Sequence, residues 1–135
     1  MMHAQKAFEV FGEKVEIFVT GAMSSGTMVV GVQTSPPGGG PGPHIHTFED
    51  EFFTVIEGEF EMFDGKKWHS LKCGESYFSK RGETHAFRNS GITVGRMQVV
   101  VSPAGLDKYL EELGKLSVPE SIEESRKGIL LKYRQ

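Results

Sequence analysis

The sequence predicts an all-β domain, a sandwich or a barrel, that is followed by one or two short helices. Between residues 8 and 102, short runs rich in β-branched and aromatic residues are separated by turn residues, and none of these runs has a helical period. Many short strands joined by turns are typical of sandwiches and barrels. After Pro103 the spacing of the apolar residues becomes helical, which predicts a change of structure at that point.

The predicted strands follow one another through most of the chain. Val15, Ile17 and Val19 occupy alternate positions, as in a half-buried strand. Residues 35–43 contain four prolines and four glycines, so they are predicted to form a loop rather than a strand or a helix. Asp64 and Gly65 predict a tight hairpin. The predicted strands cover residues 8–11, 14–20, 27–34, 50–57, 59–63, 68–71, 75–79, 85–89 and 93–102.

Two short helices are predicted in the C-terminal tail, at about residues 104–128. The first has apolar residues at positions i, i+3, i+4 and i+7 and ends at Gly114. The second begins at a capping-box pattern, Ser117 to Glu120, and ends near Gly128. Because an apolar face on a short terminal helix most often packs against its own domain, we expect the tail to contact the strands.

Length and composition favour a single soluble domain and exclude some partners. The chain has 135 residues, enough for one hydrophobic core. Its 15 Lys and Arg against 18 Asp and Glu give a net charge of −3, so neither nucleic acid nor an anionic membrane is an expected partner. No apolar run has the roughly 20 residues of a membrane span. The N-terminal segment lacks the apolar core of a signal peptide, and Cys73 is the only cysteine, so we expect a cytoplasmic protein.

Three histidines and a glutamate form a candidate metal site. His44 and His46 lie one residue apart on a predicted extended segment, so their side chains project from the same face. Glu51 lies on the next predicted strand and His85 on a later one. This set suits a divalent transition metal, but spacing does not choose among Fe, Mn, Ni, Co, Cu and Zn. Taken alone, the histidines could be surface residues and Glu51 part of a solvated acidic run.

The same residues resemble the two motifs of the cupin superfamily, in its small single-domain form. The first motif is a glycine, five residues, His-x-His, four residues, a glutamate, six residues and a glycine. The second is a glycine, five residues, Pro-x-Gly, two residues, a histidine, three residues and an asparagine. Nine of the ten consensus positions match in order, and Lys80 replaces the proline. The matching residues are Gly38, His44, His46, Glu51, Gly58, Gly74, Gly82, His85 and Asn89.

This resemblance implies a fold, a site and a chemistry. The fold would be a double-stranded β-helix, or jelly-roll barrel, with residues 1–135 as one domain and the barrel core at about residues 27–102. In cupin dioxygenases of the quercetinase type, three histidines and a glutamate hold the metal, and the glutamate also acts as a base. Carried over, His44, His46 and His85 would be metal ligands, and Glu51 would be both ligand and proton acceptor. The resemblance also implies a homodimer, since cupins commonly pair through N-terminal strands.

The nature of the reaction stays open. Counting by twos from Glu51 and His85 places Phe53, Val55 and Phe87 on the ligand face, where they line either a pocket or an ordinary barrel core. We predict a metal-dependent dioxygenase, an oxidoreductase, that acts on a small apolar or aromatic molecule. The alternatives are a non-oxidative metalloenzyme (isomerase, epimerase or lyase) and a module that binds a small molecule without catalysis, because one fold hosts many chemistries.

Overall fold

The computed structural model describes residues 3–113, which form ten β-strands and one α-helix. The strands are β1 (Lys6–Val10), β2 (Glu13–Val19), β3 (Val29–Ser35), β4 (His44–Ile45), β5 (Asp50–Glu57), β6 (Glu59–Phe63), β7 (Trp68–Lys72), β8 (Ser76–Ser79), β9 (Thr84–Asn89) and β10 (Gly95–Ser102). The helix is α1 (Leu106–Leu113), the first of the two predicted helices. The predicted second helix lies outside the described residues.

The strands pair into two antiparallel sheets. The six-stranded sheet has the order β1-β2-β3-β10-β5-β8, and the four-stranded sheet has the order β4-β9-β6-β7. Side chains on the inner faces of both sheets form one apolar core, in which Phe53, Phe60, Met62 and Met97 are fully buried. This arrangement confirms the predicted all-β jelly-roll fold.

The helix packs where prediction placed it. Tyr109 and Leu110 of α1 are buried in a second apolar cluster with Val10, Val15 and Ile17 from the first two strands. The tail helix therefore covers one end of its own domain, as its apolar face predicts. No helix within residues 3–113 is long and apolar enough to cross a membrane.

The first hairpin lies one residue earlier than the sequence pattern predicts. Val10 pairs with Glu13, so Phe11 and Gly12 form the turn, with φ angles of 54° and 80°. A two-residue turn with both φ angles positive matches the twist of the strands that it joins. Phenylalanine is rare in this conformation, which is why the sequence did not predict the turn at Phe11. The shift makes Glu13 the first residue of β2 rather than part of a turn.

Strand β10 orders the inner face of the six-stranded sheet into rows, because it pairs with β5 on one side and β3 on the other. Read from β5 through β10 to β3, the rows are Glu51–Val101–Val29, Phe53–Val99–Gly31 and Val55–Met97–Gln33. Glu51 and Gln33 therefore belong to the same inner face, two rows apart.

The proline- and glycine-rich segment is a loop, as predicted, and it lies against β9. The Gly38 N–H donates to the Asn89 carbonyl (2.9 Å), and the Asn89 N–H donates to the Gly39 carbonyl (2.8 Å). At Gly40, φ is 133°, and a Cβ would lie 2.2 Å from the Phe87 carbonyl oxygen. The close fit of this loop leads the chain into β4, where His44 pairs with His85 of β9.

Candidate metal centre

The four predicted site residues come together inside the barrel. His44 and His85 face each other across the β4–β9 pair, and one ring nitrogen from each of His44, His46 and His85 lies within 4.8 Å of the others. Glu51 approaches from the six-stranded sheet: its Oε1 is 2.7 Å from His46 Nε2, and its Oε2 is 3.8 Å from His85 Nε2. β4 ends at Ile45, so His46 follows the strand instead of lying on it as predicted.

The imidazoles are oriented by contacts on their outer side. His44 Nδ1 donates to the Gly42 carbonyl oxygen (2.7 Å), so its Nε2 can serve as a neutral ligand atom. His85 Nδ1 is hydrogen-bonded to the buried Ser79 Oγ (2.8 Å). Outer contacts of this kind set the tautomer and the orientation of metal-binding histidines. A donor set of three imidazoles, two of them oriented in this way, and one carboxylate fits a divalent transition metal.

Glu49 belongs to the site and was missed by the sequence reasoning. It is 8% exposed, and its Oε2 lies 3.6 Å from His46 Nδ1. The acidic run from Glu49 to Glu51 reads as a solvated face, but side chains alternate along a strand. Counting by twos from Glu51 would have placed Glu49 inside, and Asp50 outside, where it binds Arg81. Glu49 therefore places a second carboxyl group beside His46, on the side of the ring opposite Glu51.

The charges of His44, His46 and Glu51 differ. Burial, with the positive charge of the other two imidazoles, lowers the pKa of His44 to about 3. Burial also opposes a charge on His46, but its contacts with Glu49 and Glu51 outweigh burial and raise its pKa to about 9. Burial would raise the pKa of Glu51, yet the His46 contact holds this pKa below its ordinary value. At neutral pH His44 is neutral, while His46 and Glu51 form an ion pair.

The raised pKa of His46 predicts that metal binding depends on pH. His46 must lose its proton before Nε2 can be a ligand, and below its pKa of about 9 this proton competes with the metal. We expect the apparent affinity to rise about tenfold per pH unit between roughly pH 7 and 8, the slope for one displaced proton. Competition titrations with a chromophoric chelator measure it, and an affinity independent of pH would contradict the His46 assignment.

The site opens into a cavity of about 310 Å³. Phe53 and Phe87 line it, as counting by twos predicts, and both also belong to the apolar core. Val55 belongs to that core but does not line the cavity. The cavity therefore provides an apolar surface beside the candidate ligands. Within residues 3–113, neither Lys nor Arg lines it.

Two other polar residues, His69 and Asn89, lie outside the metal centre. His69 is on the β6–β7 hairpin, 40% exposed, with Nε2 2.7 Å from Asp64 Oδ2. Asn89 holds the following turn, since its Oδ1 accepts from the Gly91 N–H and its Nδ2 donates to the Thr93 carbonyl.

Comparison with known families gives the fold a name. Residues 31–101, more than half of the chain, match the cupin domain. The chain belongs to the cupin family. This match supports the jelly-roll fold and the resemblance of the two motifs, but it does not show quercetinase-like specificity.

Curated relatives of this cupin differ in how much of their length they share with it. An oxalate-binding protein from Thermotoga maritima is 36% identical over 58 residues, which is 43% of this chain and 48% of that protein. The cupin thus spans about half of that relative's length. Protein SchB from Streptomyces halstedii is 28% identical over 111 residues, 82% of this chain and 77% of that protein.

Solved structures share the fold of this cupin. KdgF from a Halomonas species has a TM-score of 0.65 at 18% identity, over 72% of this chain and 84% of that one. A predicted oxalate decarboxylase from Thermotoga maritima has a TM-score of 0.64 at 24% identity, over 76% and 98% of the two chains. At such low identity these structures support the fold alone.

Proposed function

We propose that this cupin is a metal-dependent enzyme of the dioxygenase type that acts on a small, mainly apolar molecule. The observation that carries the proposal is the position of the candidate ligands: His44, His46, Glu51 and His85 all line the cavity that Phe53 and Phe87 also line. A molecule that enters this cavity contacts an apolar wall and the ligand set at once. Such a combination of apolar lining and few convergent polar groups is typical of small-molecule sites.

Each side chain has a role in the proposed reaction. A divalent transition metal held by the three histidines and Glu51 would supply Lewis acidity and, if redox-active, a path for electrons to dioxygen. Glu51, ionised at neutral pH, is placed to accept the proton of an enol or catechol-like hydroxyl within hydrogen-bond reach. Ser79 and the Gly42 carbonyl keep the imidazoles in position. Phe53 and Phe87 limit the access of water to the proton that moves.

Binding of a small dianion without oxidation is a second candidate, favoured by the similarity to the oxalate-binding protein. The cavity argues against it. Glu13 and Glu51 both line the cavity, and neither Lys nor Arg among residues 3–113 does, so beyond the metal and its histidine ligands an anion would meet no counter-charge there. A volume of about 310 Å³ also exceeds what a molecule of six heavy atoms fills. We therefore prefer a larger, mainly apolar substrate.

An oxygen-uptake assay tests the proposed reaction. We expect the metal-loaded protein to consume oxygen with at least one member of a panel of enols, 1,3-diketones and flavonols, and His46→Ala to lower the rate at least about 100-fold, because it removes a ligand. His69→Ala is the matched control and should keep the wild-type rate. Turnover that persists without oxygen would identify a non-oxidative enzyme, and ligands recovered unchanged would identify a binding module.

Two expectations stay predictions, one from the family resemblance and one from the N-terminal segment and the single cysteine. One is a homodimer, and the other is a cytoplasmic location.

A further inference from the structure

We propose that Glu13 and Gln33 form a second polar subsite in the same cavity, which binds a hydroxyl or ammonium group at the end of the ligand that is distant from the metal centre. The inference depends on the proposed function in one respect: it assumes that the ligand occupies the same cavity and carries a group that binds the metal. It requires no particular reaction.

The Glu13 carboxyl group is buried and held in one orientation. It is 7% exposed and lines the cavity. Its Oε1 accepts hydrogen bonds from Gln33 Nε2 (2.9 Å) and from Ser35 Oγ. Its Oε2 lies beside Gly39, where an added Cβ would be 2.5 Å away. Burying a carboxyl group costs free energy unless its oxygens have hydrogen-bond partners. An acceptor that is already fixed in place loses little conformational entropy when a ligand binds.

The rows of the six-stranded sheet place this pair away from the metal centre. Glu51 belongs to the row of Val101, and Gln33 to the row of Met97, four residues earlier on β10. At about 3.3 Å per residue, the two rows are about 13 Å apart along the strand. The row between them contributes Phe53, Val99 and the side-chain-free Gly31 to the lining. The cavity therefore has a metal-binding end, an apolar middle and a polar end.

The chemistry of the pair selects the kind of group that it binds. The Glu13 Oε1 already accepts hydrogen bonds from Gln33 and Ser35, so this carboxyl group acts as an acceptor and favours a hydroxyl or an ammonium over an anionic tail. Gln33 adds an amide that can both donate and accept. The ligand class is thus a molecule with a metal-binding head, an apolar body and a distal hydrogen-bond donor.

Two matched hydroxamic acids test the subsite without any turnover. Both 3-(4-hydroxyphenyl)propanohydroxamic acid and 3-phenylpropanohydroxamic acid carry the same metal-binding head and flexible linker, and only the first has a distal hydroxyl. Calorimetric titration into the Zn²⁺-loaded protein gives both dissociation constants. We expect the hydroxylated probe to bind at least about tenfold more tightly, as for a hydrogen bond to a charged group.

Three variants show whether the preference arises at Glu13. Glu13→Gln keeps the size and one acceptor oxygen, and it should reduce the preference to less than about twofold. Gln33→Met should also reduce the preference for the hydroxylated probe. This second variant tests the subsite if Glu13→Gln does not fold. Glu16→Gln makes the same chemical change on the outer face of β2 and should keep the full preference.

The results separate a subsite from a merely structural carboxyl group. Equal binding of the two probes by the wild type, binding of neither, or an equal loss for both probes in Glu13→Gln would overturn the proposal. Oxygen uptake is measured separately. If the protein prefers the hydroxylated probe but consumes no oxygen, the subsite is supported and the proposed reaction is rejected. If it consumes oxygen but does not prefer the hydroxylated probe, the reaction is supported and the subsite is rejected.

Discussion

His85→Ala is expected to purify with less than about a tenth of the metal carried by the wild-type protein. His85 is 2% exposed, faces His44 across the β4–β9 pair and lies beside Glu51. Its loss removes one ligand of the set and should cost more than the roughly 10- to 100-fold in affinity that follows from losing an outer contact. Elemental analysis of untagged protein, purified without a metal column, measures the effect.

The matched control for this loss is His69→Ala. His69 lies on an exposed hairpin with Asp64, so its variant should retain the wild-type metal content. Circular dichroism shows whether the His85→Ala variant is folded, because a cavity at a buried position also destabilises. Equal metal in both variants would place the ion elsewhere. If the wild-type protein were folded but contained no metal, the description of the barrel would stand and the proposed metal-dependent chemistry would be contradicted.

Gly40→Ala is expected to lower the free energy of unfolding by about 3 kcal/mol or more, through backbone strain and a collision. The backbone of Gly40 has φ of 133°, a value that residues with a side chain rarely adopt. Its Cβ would also lie 2.2 Å from the Phe87 carbonyl oxygen, an atom of the β9 backbone that cannot swing away. Urea denaturation, monitored by circular dichroism, gives the difference.

Gly42→Ala provides the control in the same loop. A Cβ at Gly42 meets no atom within 4 Å, so this substitution should change the free energy of unfolding by less than about 0.5 kcal/mol. If the two variants were equally stable, the loop would not lie against β9 as described. Because Gly40 also lines the cavity, ligand binding should weaken in Gly40→Ala even where enough folded protein remains.

Much of the metal centre could be predicted because its signals are local. His44 and His46 stand at fixed offsets from Glu51, and alternation along strands is enough to place Phe53 and Phe87 on the ligand face. The all-β fold class could also be predicted, because strand length and turn residues are local signals too. These signals depend on neighbours in the chain, so they do not need knowledge of which strands meet.

The Glu13–Gln33 pair at the polar end of the cavity could not be predicted, because its position depends on a turn and on strand pairing. Phe11 has no preference for a positive φ, so the sequence could not show that the hairpin turns there and brings Glu13 into β2. The hydrogen bond between Glu13 and Gln33 joins neighbouring strands whose register is visible only in the structure. Glu49 is a different case: the period-two signal was present, but three consecutive acidic residues obscured it.

The central position of β10 has a consequence for how the chain folds during synthesis. Among residues 3–113, β10 is the last strand in the sequence, yet it lies between β3 and β5 in the sheet. Val29 therefore has no Val101 partner until β10 is present. Until β10 has left the ribosome, β3 and β5 each present an unpaired edge, which other chains can join. Pairing between distant segments also slows folding. All four candidate ligands are therefore translated before the barrel that holds them together can close.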